Sequence, residues 1–105
     1  MGKARAIRID SRNFEKAGDA TAFFSAMLSR YGINNQVNDV DAIDLAALVK
    51  RHDEAGEKVG SGIAHFVVAN APEPYTTQRC FWIVRSDGSR TDFSYQHCLE
   101  KKPYD

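Results

Sequence analysis

Cysteine is scarce in this sequence: Cys80 and Cys98 are the two among 105 residues. Two thiols build neither a multi-bridge framework nor a four-cysteine zinc site. Long hydrophobic runs are missing as well. No stretch approaches the roughly 20 apolar residues that span a bilayer, and the basic segment Met1 to Arg12 is not followed by the apolar core of a signal peptide. The chain is therefore expected in the cytoplasm, away from membranes, with both thiols reduced. Net charge is absent too, with 14 basic and 14 acidic residues. A whole-molecule basic field that draws in nucleic acid is thereby excluded, and any such role must rest on a local patch. There is no internal repeat and no low-complexity segment.

What remains is an ordinary globular composition, 43% hydrophobic and 27% charged, in a chain long enough for one core. One domain over residues 1–105 is expected. Lys3 to Ile9 reads as a short, basic edge strand. From Asp19 to Tyr31, Ala20, Phe23, Phe24, Met27, Leu28 and Tyr31 recur at helical spacing, with Asp19 as N-cap and Gly32 as a left-handed C-terminal residue. A connector, Ile33 to Asn38, leads to a second helix starting at Asp39 or Asp41 and running to about His52. Its expected buried side is Ile43, Leu45, Ala46, Leu48 and Val49. After a loop over Asp53 to Gly62 come strands at Ile63 to Ala69, Arg79 to Arg85 and Arg90 to Tyr95, then a short helical turn within Gln96 to Lys102. The fold class is α+β: an antiparallel sheet of three to four strands with two helices on one face, in the order β-α-α-β-β-β.

Asp87-Gly88 is the dipeptide of a type I′ hairpin turn. A two-residue loop there sets Trp82 opposite Phe93 and places Cys80, Trp82, Val84, Thr91, Phe93 and Tyr95 on the core face. Arg79, Phe81, Ile83, Arg85, Arg90, Asp92 and Ser94 then share the other face.

Several constellations bear on chemistry. His52, His65, Cys80, His97 and Cys98 can ligate metals, but none of their spacings is that of a metal motif; no metal and no cofactor is expected. Asp92, Ser94, His97 and Cys98 are close in sequence, yet a catalytic set needs hydrogen-bond geometry in a pocket, which spacing alone does not supply. More simply, Asp92 pairs with Arg85 or Arg90 across the hairpin, Ser94 is solvated, and the cysteines are small buried hydrophobes. Lys58-Val59-Gly60-Ser61-Gly62 combines glycines with a cation, as an anion nest does, but it follows a helix and opens a strand, the reverse of a phosphate loop. Its glycines also serve a tight approach to the strand. Residues 1–16 carry five basic against two acidic side chains, and residues 39–57 carry six acidic against two basic, so charge is segregated along a neutral chain. Arg79, Phe81, Arg85 and Arg90 put guanidinium and aromatic groups on one sheet face, a combination that holds phosphates and stacks bases; a plain solvated face is the simpler account.

The run Arg79-Cys80-Phe81, Arg85-x-Asp87-Gly88, Asp92-Phe93-Ser94-Tyr95 and Cys98-Leu99 resembles the DCL domain family, named for a plant protein "defective chloroplasts and leaves". His52, Lys58-Val59-Gly60-x-Gly62-Ile63 and Phe66-x-Val68 look like that family's middle block, and Leu28, Tyr31 and Gly32 fit its first helix. The likeness spans about residues 12 to 100. It implies a compact stand-alone or appended domain. In plants such domains are associated with chloroplast ribosomal RNA processing and with the tail of the largest subunit of plant-specific RNA polymerases, and many bacterial members have no assigned function. The resemblance carries over no catalytic residues. His97 stands where the family resemblance leads one to expect Lys or Arg.

Three functions stay open. The first is a non-catalytic binding module in an RNA-processing or transcription context, with Arg79, Arg85 and Arg90 contacting phosphate, Phe81 stacking, and Lys58, Gly60 and Gly62 holding an anion. The second is a protein-docking module using the acidic second helix. The third is a small nuclease-like or thiol-dependent enzyme using His52, His65, His97 or Cys98. Strand order and oligomeric state are open as well.

Overall fold

The computed structural model describes residues 5–103. The chain is α+β, as expected, with ten elements: β1 (Ile7–Ile9), β2 (Arg12–Phe14), α1 (Ala17–Ser29), β3 (Asn35–Gln36), α2 (Asp39–Val49), α3 (Ala55–Val59), β4 (Ile63–Asn70), β5 (Arg79–Arg85), β6 (Arg90–Phe93) and α4 (Tyr95–Leu99). An antiparallel sheet of four strands runs in the order β3-β4-β5-β6. The N-terminal strand does not join it. β1 and β2 form their own hairpin instead, and the fourth strand is β3, inside the segment read as a connector. Two residues are too few for a period-2 signal, which explains why β3 escapes sequence pattern.

The helices also shift against expectation. α1 opens at Ala17 with Lys16 at its N-cap and no side-chain cap; Asp19 sits in its first turn, where a negative charge suits the helix dipole. At its far end the left-handed residue is Asn34, with φ 69°, not Gly32. Asn38 caps α2, its side-chain oxygen accepting from the Asp41 N–H at 2.8 Å. α2 is rotated so that Asp41, Asp44, Leu45 and Leu48 face inward, while Ile43 is 62% exposed. Both inward carboxylates are held. Arg12 and Ser11 donate to Asp44 at 2.6–3.1 Å. Arg30 and the Tyr31 hydroxyl donate to Asp41 Oδ2 at 2.7 and 2.5 Å.

The hairpin register is one residue away from expectation. Phe81 faces Phe93, Ile83 faces Thr91, Trp82 faces Asp92 and Val84 faces Arg90. The cause lies in the turn. The Arg85 N–H donates to the Ser89 carbonyl at 2.7 Å and the Gly88 N–H to the Arg85 carbonyl at 2.9 Å, leaving a loop of Ser86, Asp87 and Gly88, with Gly88 at φ 89°. That is a turn closed by a glycine bulge rather than a two-residue type I′ loop, and Asp-Gly serves either. The shift exchanges the faces. Phe81, Ile83 and Phe93 join Phe66 and Val68 in the core under the helices, with Phe24, Met27, Leu45, Leu48 and Cys98.

Candidate functional site: the solvent-facing side of the sheet

The side of the sheet turned away from the helices carries Val67 and Ala69 from β4, opposite Trp82 and Cys80 from β5; Asp92 and Arg90 from β6 lie opposite Trp82 and Val84. Trp82 is half-buried and fixed in place: its indole N–H donates to the Asn70 carbonyl at 3.1 Å. The exposed Arg90 guanidinium lies over the Trp82 ring, 5.1 Å from its centroid, within cation–π range.

Next to Trp82, at the far end of the sheet, opens a groove of about 360 Å³. Tyr75, Gln78 and Arg79 from the β4–β5 connection and the start of β5 line it, with Cys80, Asp92, Tyr95 and Gln96. Arg79 is anchored by one guanidinium nitrogen, which donates to the Tyr31 carbonyl at 2.8 Å. Asp92 pairs with neither Arg85 nor Arg90. Its carboxylate accepts no hydrogen bond and makes no ion pair among the described residues, although the residue is half-buried.

Most of the residues expected to bind are spent inside the fold. Phe81 is fully buried, stacked on Phe93 with ring centroids 5.9 Å apart, so its ring is not open to a base. Arg85 donates to the Lys58 and Glu57 carbonyls and to the Ser89 hydroxyl. The Lys58 ammonium donates to the Asp92 carbonyl at 2.8 Å. Gly60, at φ 53°, lets Arg85 approach: a Cβ there would stand 2.8 Å from the Arg85 Cδ. The amides of Gly60 and Gly62 already donate to Gly56 and Val59 carbonyls, each at 3.0 Å, so the loop offers no nest of free N–H groups. Arg79 and Arg90 remain outward. Sequence reasoning missed Trp82, because the one-residue register error assigned it to the core.

The histidines and cysteines lie elsewhere. His52 and His97 lie with ring centroids 4.7 Å apart and planes tilted by 52°, beside Lys58 in an open cleft of about 570 Å³. His97 contacts Asp53 through Nε2 at 3.2 Å and Glu100 through Nδ1 at 2.7 Å. Burial, His97 and Lys58 push the His52 pKa below its usual value, so its ring is neutral at pH 7. The Ser94 hydroxyl caps α4 by accepting from the His97 N–H at 3.3 Å. Burial pushes the Cys98 thiol up to about 12 and the Cys80 thiol up to about 11, far from thiolate at neutral pH. Among the described residues no three His, Cys, Asp or Glu side chains gather around a metal-sized site, and no helix is long and apolar enough to cross a membrane.

Comparison with known proteins adds context. The model of a family described as protein of unknown function, DUF3223, matches residues 25–99. "Protein DCL homolog, chloroplastic" of Arabidopsis thaliana is 40% identical over 60 residues, covering 54% of this chain and 27% of that protein. "DNA-directed RNA polymerase IV subunit 1" of the same plant is 33% identical over 73 residues, 70% of this chain and 5% of the subunit. This chain spans about half or less of the length of the curated relatives it matches. A solution NMR structure of an uncharacterized protein from Rhodospirillum rubrum superposes with a TM-score of 0.80 at 41% identity, covering 93% of this chain and 91% of that one.

Proposed function

The chain belongs to the DUF3223 family and is similar to proteins named DCL, and from that premise we propose that it is a non-catalytic binding module for RNA. One observation carries the reading: the Arg90 guanidinium lies over the Trp82 ring on the side of the sheet turned away from the helices, a cation–π pair. Such a pair offers a flat face to an unpaired base and a positive charge to its phosphate. Arg79, at the start of the adjacent strand β5, supplies a second exposed cation. A relative named as an RNA polymerase subunit is further support for a nucleic-acid setting. The cytoplasmic location expected from sequence belongs to this reading as well.

Trp82 is the single tryptophan of the chain, so its fluorescence reports on the proposed surface directly. Titration with short structured RNA at two salt concentrations is expected to quench or shift that emission, with affinity falling as salt rises. Emission unchanged at both salts would remove the reading.

A second reading rests on α2, where Val40 and Ile43 are 71% and 62% exposed. Apolar side chains left in water on one helix suit protein docking. Asp41 and Asp44 turn inward, so the apolar pair rather than helix acidity is what such a partner would meet. Recovery of the same partners after nuclease treatment, abolished in Val40→Ser/Ile43→Ser, supports docking.

A further inference from the structure

We propose that the groove beside Trp82 is a guanine pocket, in which the Asp92 carboxylate accepts from the base's Watson–Crick edge. This rests on the RNA-binding reading and specifies which nucleotide the surface selects. The groove, at about 360 Å³, falls at the small end of the ~300–1,000 Å³ typical of ligand sites, a size for one flat ring system rather than an extended ligand. Tyr75 and Tyr95 line it, and such rings stack on bases. Tyr75 is 60% exposed, while Tyr95 is held edge-on against Phe81 with ring centroids 6.3 Å apart.

Asp92 decides the identity of the base. Half-buried, open to solvent and without a protein partner among the described residues, this carboxylate offers acceptors only and is accessible to a ligand's donors. Guanine alone among the RNA bases presents two neighbouring donors, N1–H and the N2 amino group, to receive both carboxylate oxygens. Adenine and cytosine place a ring acceptor beside their amino group, and uracil flanks its single N–H with two carbonyls. Each of those sets a lone pair against the carboxylate. Gln78 and Gln96, which also line the groove, carry both donors and acceptors and suit the remaining polar edge of guanine. An arginine side chain from a protein partner also offers paired donors, and Glu73 in the same wall favours it while Arg79 opposes it, so the lining charge does not choose between the two; the choice of a base rests on the Trp82–Arg90 surface beside the groove, and arginine enters the test as the competitor.

The test compares the oligonucleotides UUGUU and UUAUU on wild type and Asp92→Asn, read by Trp82 emission, with N-acetyl-arginine amide as a competitor. UUGUU is expected to bind about tenfold more tightly than UUAUU, the discrimination of one bidentate contact. Asp92→Asn is expected to bring the two affinities together, and Tyr75→Ala to weaken UUGUU. Equal wild-type affinity for both oligonucleotides overturns the guanine pocket and leaves the RNA-binding module standing. Binding of neither overturns both. Displacement of UUGUU by arginine amide assigns the groove to a protein ligand and overturns the proposal. If Asp92→Asn does not fold, the wild-type comparison still decides.

Discussion

Phe81 and Trp82 are neighbours in sequence and opposites in consequence. Phe81 is sealed between sheet and helices, Trp82 half-open to solvent. Phe81→Ala removes a buried ring and is expected to cost ~3–5 kcal/mol of stability in urea unfolding. Trp82→Ala is expected to cost less stability than Phe81→Ala but to weaken RNA by ~1–3 kcal/mol in filter binding, the worth of one stacked base. Asp41 carries a pH dependence. Burial pushes its pKa up, but the Tyr31 hydroxyl and the Arg30 guanidinium outweigh burial and hold it below the ordinary 3.8. A carboxyl depressed in the folded state stabilises fully above its unfolded pKa, and that contribution is lost as pH falls through the folded value. Denaturant midpoints of wild type are therefore expected to fall below pH 4 relative to Asp41→Asn, and the two curves to run parallel above pH 6. Arg30 is 53% exposed on its side chain, which keeps the ion-pair share of this effect modest.

At the scale of elements, α3 fastens the sheet hairpin to the rest of the fold. Arg85 reaches back to the carbonyls of Glu57 and Lys58, and Gly60 leaves it room. Gly60→Ala adds a Cβ where the backbone is left-handed and Arg85 is already in place. A loss of ~1–3 kcal/mol in thermal or urea unfolding is expected, with Gly18→Ala, in open space, as the neutral or stabilising control. How much of this was legible in sequence follows from the strength of each local signal. Periodicity revealed α1 and the three long strands. It missed α3, whose five residues are too short to show a period; in α2 it found Leu45, Leu48 and Val49 but turned Ile43 inward in place of Asp41 and Asp44, which do not look like core until Arg30 and Arg12 are placed beside them. The Asp-Gly hairpin was visible, but the glycine bulge was not, and one residue of register turned Trp82 inward and Phe81 outward. Arg79 and Arg90 are exposed, Phe81 is buried, and Asp92 lacks the cross-hairpin partner expected for it.

At the scale of the whole molecule, the proposed RNA reading has to work on a chain that is neutral overall. The outward Arg79 and Arg90 stand against a balanced background, so the phosphate contacts of that reading are local and few. Arg79→Ala with Arg90→Ala is expected to lower the slope of log affinity against log salt by roughly 0.7 for each phosphate no longer neutralised, the increment for single strands. An unaltered slope in that double variant would place the phosphate contacts elsewhere.

The sheet ends on one side at β6, and any sheet border is a template on which another strand can settle. Here the Lys58 ammonium rests on the Asp92 carbonyl, at that border. An incoming strand must first dislodge this half-buried ammonium to reach the backbone it would copy. The same lysine that supplies no anion nest thus guards the chain against growing strand by strand into fibres, and neutralising it is a route by which this fold would begin to aggregate.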